Sequence, residues 1–412
     1  MSGHAAREIA TAPPELLALR SAAAVRERCA RVYEWVAAVR SPHFTIDETK
    51  LDATAAFVAR VTRASYPDLA IPHHSRWRHF GAGDCDRWAG LRLGGLPPIE
   101  RARAAIDLTF VSVLLDAGAG VAWRYRDGAT GLTFARSEGL AVASFDMFAA
   151  GYFSSDPERP YRVDRAALTP LDLATLAGAF QVSDRNPLVG LPQRLTLLRR
   201  LGKALAARPD LFGAAGRPGH LIDAILKSSS AIGAPSILAL VLDALSDIWP
   251  SGLTIDGVAL GDAGRHPAVR TPDRSDGIVP FHKLSQWLTY SLIEPVEQAG
   301  VTVTDVDGLT GLPEYRNGGL LLDMGVIVPR APLDPKMPHE IASELIVEWR
   351  ALTVTLLDRL RDMTRERLGL AALSMPQFLQ GGSWSAGRAV ALERRPPDGP
   401  PPIAVKADGT VF

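Results

Sequence analysis

The chain has 412 residues, 47% of them hydrophobic, and its 45 Lys and Arg are balanced by 45 Asp and Glu. That content is ample for one large core or two lobes, while a net charge of zero lacks the basic surplus expected of a protein living on nucleic acid or anionic membrane. Two cysteines, Cys29 and Cys85, make neither a disulfide framework nor a Cys-based zinc site.

The N-terminal stretch "MSGHAAREIATAPPELLALRS" has no basic segment followed by a continuous apolar one, so a signal peptide is not expected. "ELLALRSAAAVRERCARVYEWVAAVR" and "DETKLDATAAFVARVTRAS" carry helical apolar spacing, the second with Thr45 and Asp47 as N-cap candidates. "PPIERARAAIDLTFVSVLLDAG" reads as a proline-started helix ended by Gly118. "GVAWRYRDGATGLTFARS" reads as two short strands around an Asp-Gly turn. "LPQRLTLLRRLGKALAARPDLFG", "GHLIDAILKSS" and "APSILALVLDALSDIW" are further helices. The last belongs to the most apolar stretch, which Pro235 interrupts short of a membrane span. A helix is expected after Pro280 in "IVPFHKLSQWLTYSLIEPVEQAG". The longest periodic segment is "PHEIASELIVEWRALTVTLLDRLRDMTRERLG". From "GGSWSAGR" onward the chain is rich in Gly and Pro with short β-like runs.

The expectation is a cytoplasmic, mainly α protein with a small β-hairpin and a β-like C-terminal tail. Its organisation reads as an N-terminal extension (1–20), a single α-rich domain (21–390, divisible into lobes 21–165 and 166–390) and a Pro/Gly-rich tail (391–412).

No G-x-G-x-x-G after a strand, no G-x-x-x-x-G-K-[ST], no H-E-x-x-H and no G-x-S-x-G is present. Residues 71–88, "IPHHSRWRHFGAGDCDRW", form the densest polar-aromatic cluster. The spacing of its His73, His74 and His79 matches no standard metal pattern. Arg76, Trp77 and their neighbours suit either a packed loop or a pocket wall for a sugar or phosphate. In "SDGIVPFHKLSQWLTYSL", Lys283, Gln286 and Tyr290 are spaced to share one helix face, and Lys283 is one of only six lysines. In "GLPEYRNGG", Glu314 reads locally as a general base, a nucleophile, an electrostatic partner for a cation, or one half of a solvated Glu–Arg pair. The glycines of "LQGGSWSAGR" could cradle an anion or only let the tail turn.

"HSRWRHFGAGDCDRW", "VPFHKLSQWLTYSLIEP" and "LQGGSWSAGR…DGTVF" resemble the uracil catabolism family of the URC pathway over nearly the full chain. That resemblance implies a uracil degradation route running through ribosylurea to urea. A more distant similarity links the chain to the queuosine-nucleotide N-glycosylases, and it implies their helical fold. Lys283 and Gln286 of "HKLSQ" match that family's Lys-Arg-Ala-Gln segment. Glu314, Tyr315 and Arg316 fall on its Asp-Tyr-Arg, whose Asp is the catalytic carboxylate. Glu in place of Asp reaches one methylene further, and Asn317 and Gly318 replace the family's Val-Pro step.

The resemblance implies an N-ribosidase acting on a small nucleoside- or nucleotide-derived substrate; the charge balance, the histidine spacing and the lack of a long apolar run add the expectation of no cofactor, no metal and no nucleic-acid or membrane partner. Glu314 would face the oxocarbenium-like C1′. His282, Asp276 or His79 would protonate the leaving nitrogen. Lys283, Arg316 and Arg76 would hold phosphate or ribose hydroxyls, Trp77, Phe281 and Tyr315 would wall the site, and Gln286 would join the binding set. The competing readings are a nucleotide-ligand sensor or scaffold and a ureido amidohydrolase.

Overall fold

The structure, a computed structural model, describes residues 12–249, 252–334 and 337–406. Helix α1 (Ala22–Ala37) begins at Ser21, whose hydroxyl accepts the Ala24 N–H from extended backbone. This cap splits the N-terminal apolar run into a single turn at Pro14–Leu17 and α1. β1 (Phe44–Ile46) holds Thr45, and Asp47 caps the turn that leads into α2 (Leu51–Ser65). α3 (Arg76–Phe80) is a single turn capped by Ser75. α4 (Pro98–Leu114) stops short of Gly118, so residues 115–121 run on as a loop. β2 (Tyr125–Arg126) and β3 (Thr133–Phe134) form the expected antiparallel hairpin.

α5 (Arg136–Ala149), α6 (Leu191–Ala207), β4 (Ala231–Gly233) and α7 (Ala234–Leu245) follow. Next come β5 (Leu253–Ile255), β6 (Val258–Gly261), β7 (Ala263–Arg265) and β8 (Ile278–Pro280). The chain continues through α8 (Lys283–Gln298), β9 (Thr302–Thr304), α9 (Tyr315–Asp323), β10 (Ile327–Pro329), α10 (Glu344–Leu368) and α11 (Trp384–Arg394).

The fold is mainly α, and the strands pair only in twos: β1 with β10, β2 with β3, β4 with β9, β5 with β6 and β7 with β8. α8 is buried almost all round, from Leu284 to Ile293, and it lies along α4, which is buried from Ala104 to Leu114. A helix apolar on every side belongs in the middle of a protein. α10 packs against α1 and α2, and α9 packs against α11. The beginning of α8 and the beginning of α9 are thereby held by the core itself, which fixes them for the site described below. Among the described residues no helix is long and apolar enough to cross a membrane.

The C-terminal stretch differs from its β-like reading. Residues Trp384–Arg394 are helical, continuing the turns Met375–Phe378 and Leu379–Ser383. Ala, Leu, Glu and Arg are strong helix formers, and they outweigh the glycines here. Gly387 serves contact instead: a Cβ there would lie 2.3 Å from the Arg316 carbonyl oxygen, so α9 and α11 can approach only through glycine. After Arg394 the tail is irregular, with one parallel bridge between His339 and Val405. The "DGTVF" motif lies outside the described residues.

Candidate functional site

Glu314 is the N-cap of α9. Its two carboxylate oxygens accept the Arg316 N–H at 2.9 Å and the Asn317 N–H at 2.7 Å. The residue is buried, which pushes its carboxyl above the usual range. The two amides and the nearby charges of Lys283 and Arg316 offset that only in part.

The loop before Glu314 is tied down on three sides. The Gln286 side chain accepts the Thr310 N–H at 2.9 Å and donates to the Thr310 hydroxyl at 2.7 Å. The Tyr290 hydroxyl donates to the Thr310 carbonyl at 2.9 Å. The Asn317 amide reaches back to the Leu312 carbonyl at 2.9 Å. The Gln286 and Tyr290 face of α8 therefore does not point at a ligand; it holds the loop that carries Glu314.

Lys283 opens α8. Its N–H donates to Asp262 Oδ2 at 2.9 Å, and that carboxylate takes both Arg350 guanidinium nitrogens at 2.8 Å. Arg350 also donates to the Pro313 carbonyl at 3.4 Å and lies 4.1 Å from the Phe281 ring centroid. One buried ion pair thus links the start of the Lys283 helix to the residue before Glu314. The Lys283 ammonium makes no hydrogen bond or ion pair among the described residues, and burial lowers its pKa against the pull of Glu314 and Asp116.

Both groups line a cavity of about 420 Å³, a volume within the range of roughly 300–1,000 Å³ typical of small-molecule sites. Its other walls come from distant parts of the chain: His74 and His79, Asp116 and the loop to Val121, Arg136, Trp287, Trp384, and the tail at Asp398–Pro401 and Val405.

Asp116 Oδ2 is held by the Arg76 guanidinium at 2.9 Å and by the Trp287 indole N–H at 3.2 Å. Burial alone would raise its carboxyl, but Arg76, His79 and Lys283 bring it below the usual range. His79 Nδ1 accepts from Arg76 at 3.1 Å, which leaves the proton on Nε2. Burial and the Arg76 charge push its pKa down to about 3. The His74 ring lies tilted against Trp287, centroids 4.4 Å apart, and burial pushes its pKa down to about 4. Both rings are neutral at physiological pH and act as fixed hydrogen-bonding groups.

The structure gathers Glu314, Lys283, Tyr315, Arg316 and His79 around this cavity. Arg76 lies behind the wall, fully buried, bonded to Ser112, the Ser137 carbonyl, His79 and Asp116. Trp77 donates to the Ser291 carbonyl and meets Phe80 and Trp88 edge-on, outside the cavity. Phe281 and Gln286 are buried in the support structure. His282 donates from Nε2 to the Leu19 carbonyl at 2.9 Å. Asp276 caps a half-buried loop, accepting the Thr271 N–H at 2.8 Å beside Arg270. Neither lines the cavity.

The sequence offered Trp287 only as an aromatic neighbour of Lys283, and Asp116, Arg136 and Trp384 were passed over. The one signal available for Asp116 was an acid set between an apolar helix and a glycine, at "VLLDAG". Among the described residues no three His, Cys, Asp or Glu side chains are grouped to hold a metal ion.

The family model described as "Protein of unknown function (DUF1688)" matches residues 18–412. The chain belongs to this family. It is 40% identical over 401 residues to "Protein urg3" of Schizosaccharomyces pombe, an alignment covering 94% of this chain and 96% of that protein. It is 37% identical over 433 aligned positions to "Uracil catabolism protein 4" of Lachancea kluyveri, covering 95% and 98% of the two chains. The family match covers every residue that lines the cavity, from His74 to Val405.

Proposed function

We propose that this family member acts in uracil catabolism as an N-ribosidase, hydrolysing the C1′–N bond of ribosylurea or its 5′-phosphate to urea and ribose or ribose phosphate. The observation that carries the reading is the meeting of Lys283 and Glu314, from two separate motifs, in one cavity with Tyr315 and Arg316. The names of the two relatives support the pathway, and the resemblance of both motifs to the queuosine-nucleotide glycosylases supports the chemistry.

Breaking an N-riboside builds positive charge on C1′ and the ring oxygen. Glu314 answers that charge: its carboxylate is largely buried and held by two amides at a helix start, so it needs little reorganisation during the reaction. The departing nitrogen takes a proton as its bond to C1′ breaks; water supplies the oxygen that ends on C1′, and the proton that this water releases restores the donor. We assign the proton to Lys283, whose ammonium has a lowered pKa and faces the cavity. His79 instead offers an N–H to a carbonyl or hydroxyl.

The test is incubation of pure protein with ribosylurea and with its 5′-phosphate, followed by assays for urea, reducing sugar and ammonia. Urea and reducing sugar in equal amounts support the reading. Ammonia without urea favours a ureido amidohydrolase. Binding with no product favours a sensor.

A further inference from the structure

Among the described residues the buried arginines are, with one exception, spoken for. Arg76 pairs with Asp116, Arg87 with Asp127, Arg217 with Asp107 and Arg350 with Asp262, and Arg194 donates to the carbonyls of Leu115, Ala117 and Gly118. Arg316 is only 5% exposed, yet its side chain makes no hydrogen bond or ion pair among the described residues, and its Nε is orphaned. Its guanidinium sits 5.2 Å from the Tyr315 ring and 5.2 Å from that of Trp384. Stacking holds the plane of the group and leaves its N–H edge unused. Leaving a buried cation in that state costs stability unless a ligand completes it.

A second arginine lines the same cavity. Arg136 is half-buried and, among the described residues, has no carboxylate partner; its side-chain bond there is to the Asp398 carbonyl of the tail, at 3.1 Å. Both guanidiniums line the cavity with Tyr315, whose hydroxyl feels their charges together with those of Glu314 and Asp116. Lys283 feels Glu314 and Asp116 most among its neighbouring charges. Among the described residues the cavity wall thus carries two arginines without a carboxylate partner, alongside Asp116, Glu314, Lys283 and neutral His79.

We propose that Arg316 and Arg136 form an anion subsite that takes the phosphate of a 5′-phosphorylated riboside. Bound there, the ligand lies along the cavity with its glycosidic carbon at Glu314 and its nitrogen leaving group towards Asp116 and His79. The orientation rests on the N-ribosidase reading; the anion subsite does not. A phosphate monoester carries about −1.5 to −2 charges at pH 7 and three acceptor oxygens, which matches two arginine forks. Seating the phosphate at Asp116 instead would press that dianion against a carboxylate.

The test is calorimetric binding of ribose 5-phosphate, ribose and inorganic phosphate to the full chain, at two salt concentrations. Ribose 5-phosphate should bind at least about 10-fold more tightly than ribose, as one charge-assisted contact requires. It should also exceed inorganic phosphate and weaken as salt rises, whereas ribose should not respond to salt. Arg136→Ala should lower ribose 5-phosphate affinity by about 10–100-fold and leave ribose unchanged, and Arg136→Lys should restore part of the loss. Equal binding of ribose and ribose 5-phosphate, equal loss of both in Arg136→Ala, or no binding of ribose 5-phosphate overturns the subsite. If ribose 5-phosphate binds selectively but ribosylurea phosphate is not cleaved, the hydrolase reading fails and the subsite stands.

Discussion

Replacing Glu314 with glutamine tests two roles of one side chain at once. The carboxylate caps α9 with both oxygens, one on the Arg316 N–H and the other on the Asn317 N–H. Glutamine keeps the length but has one carbonyl oxygen, and its NH₂ would face a backbone donor. One buried amide then loses its acceptor, a loss of about 1–2 kcal/mol in stability. The catalytic loss is separate. The neutral ground state gains little from the negative charge, whereas the cationic transition state depends on it, so kcat should fall about 10²–10⁴-fold with a change in KM under about tenfold. Glu314→Asp separates the two effects. Asp is a favoured N-cap, so stability should stay close to that of the parent, while withdrawal of the charge by one methylene leaves turnover between those of Glu and Gln. Urea release gives kcat, and denaturant midpoints give the stabilities. Near-normal turnover in Glu314→Gln refutes the catalytic role, and unchanged stability refutes the double cap.

The pH profile should be bell-shaped. Glu314 acts as an anion and its carboxyl is raised by burial, so activity should fall with decreasing pH along a limb lying above the ordinary glutamate value of about 4.3. Lys283 acts as an acid and its pKa is lowered, so activity should fall with increasing pH below the ordinary lysine value of about 10.4. Lys283→Ala should abolish the alkaline limb in the residual activity and move the acid limb to higher pH, since the Lys283 charge opposes burial at Glu314; an unmoved profile argues against both assignments. Gly387→Ala forces a Cβ to 2.3 Å from the Arg316 carbonyl oxygen, backbone that cannot swing aside, and should cost about 1–3 kcal/mol while displacing the Arg316 end of α9. A denaturant midpoint equal to that of the parent contradicts that packing. Activity should survive exhaustive chelation, because a carboxylate facing the developing cation needs no metal-bound water; zinc-restorable loss would return attention to His73, His74 and His79.

The helices were legible because their apolar residues recur with helical period, and the β2–β3 hairpin because Asp127-Gly128 marks a tight turn. Local signals did not raise Glu314 above an ordinary turn residue; its importance came from the resemblance of "LPEYRNGG" to a catalytic motif. Local signals also gave Gln286 and Tyr290 a face shared with Lys283. The helix does align them, yet only Lys283 stands at its open end; the other two bond to Thr310, a contact no spacing rule announces. Asp116 was hidden for a related reason. What buries it is Arg76, from a helix far upstream, and Trp287, from one far downstream. The tail read as β-like because Gly and Pro are frequent there, but Gly387 is used for close approach between helices rather than for turning.

The central claim is that Glu314 faces the glycosidic carbon of a ribosyl ligand. A crystal structure of Glu314→Gln soaked with intact ribosylurea 5′-phosphate tests it most directly. The account predicts C1′ against the side chain of residue 314, the ureido group towards Asp116 and His79, and the phosphate between Arg136 and Arg316. A ligand whose C1′ lies nearest to Asp116 or any other carboxylate, or one bound outside this cavity, would contradict it.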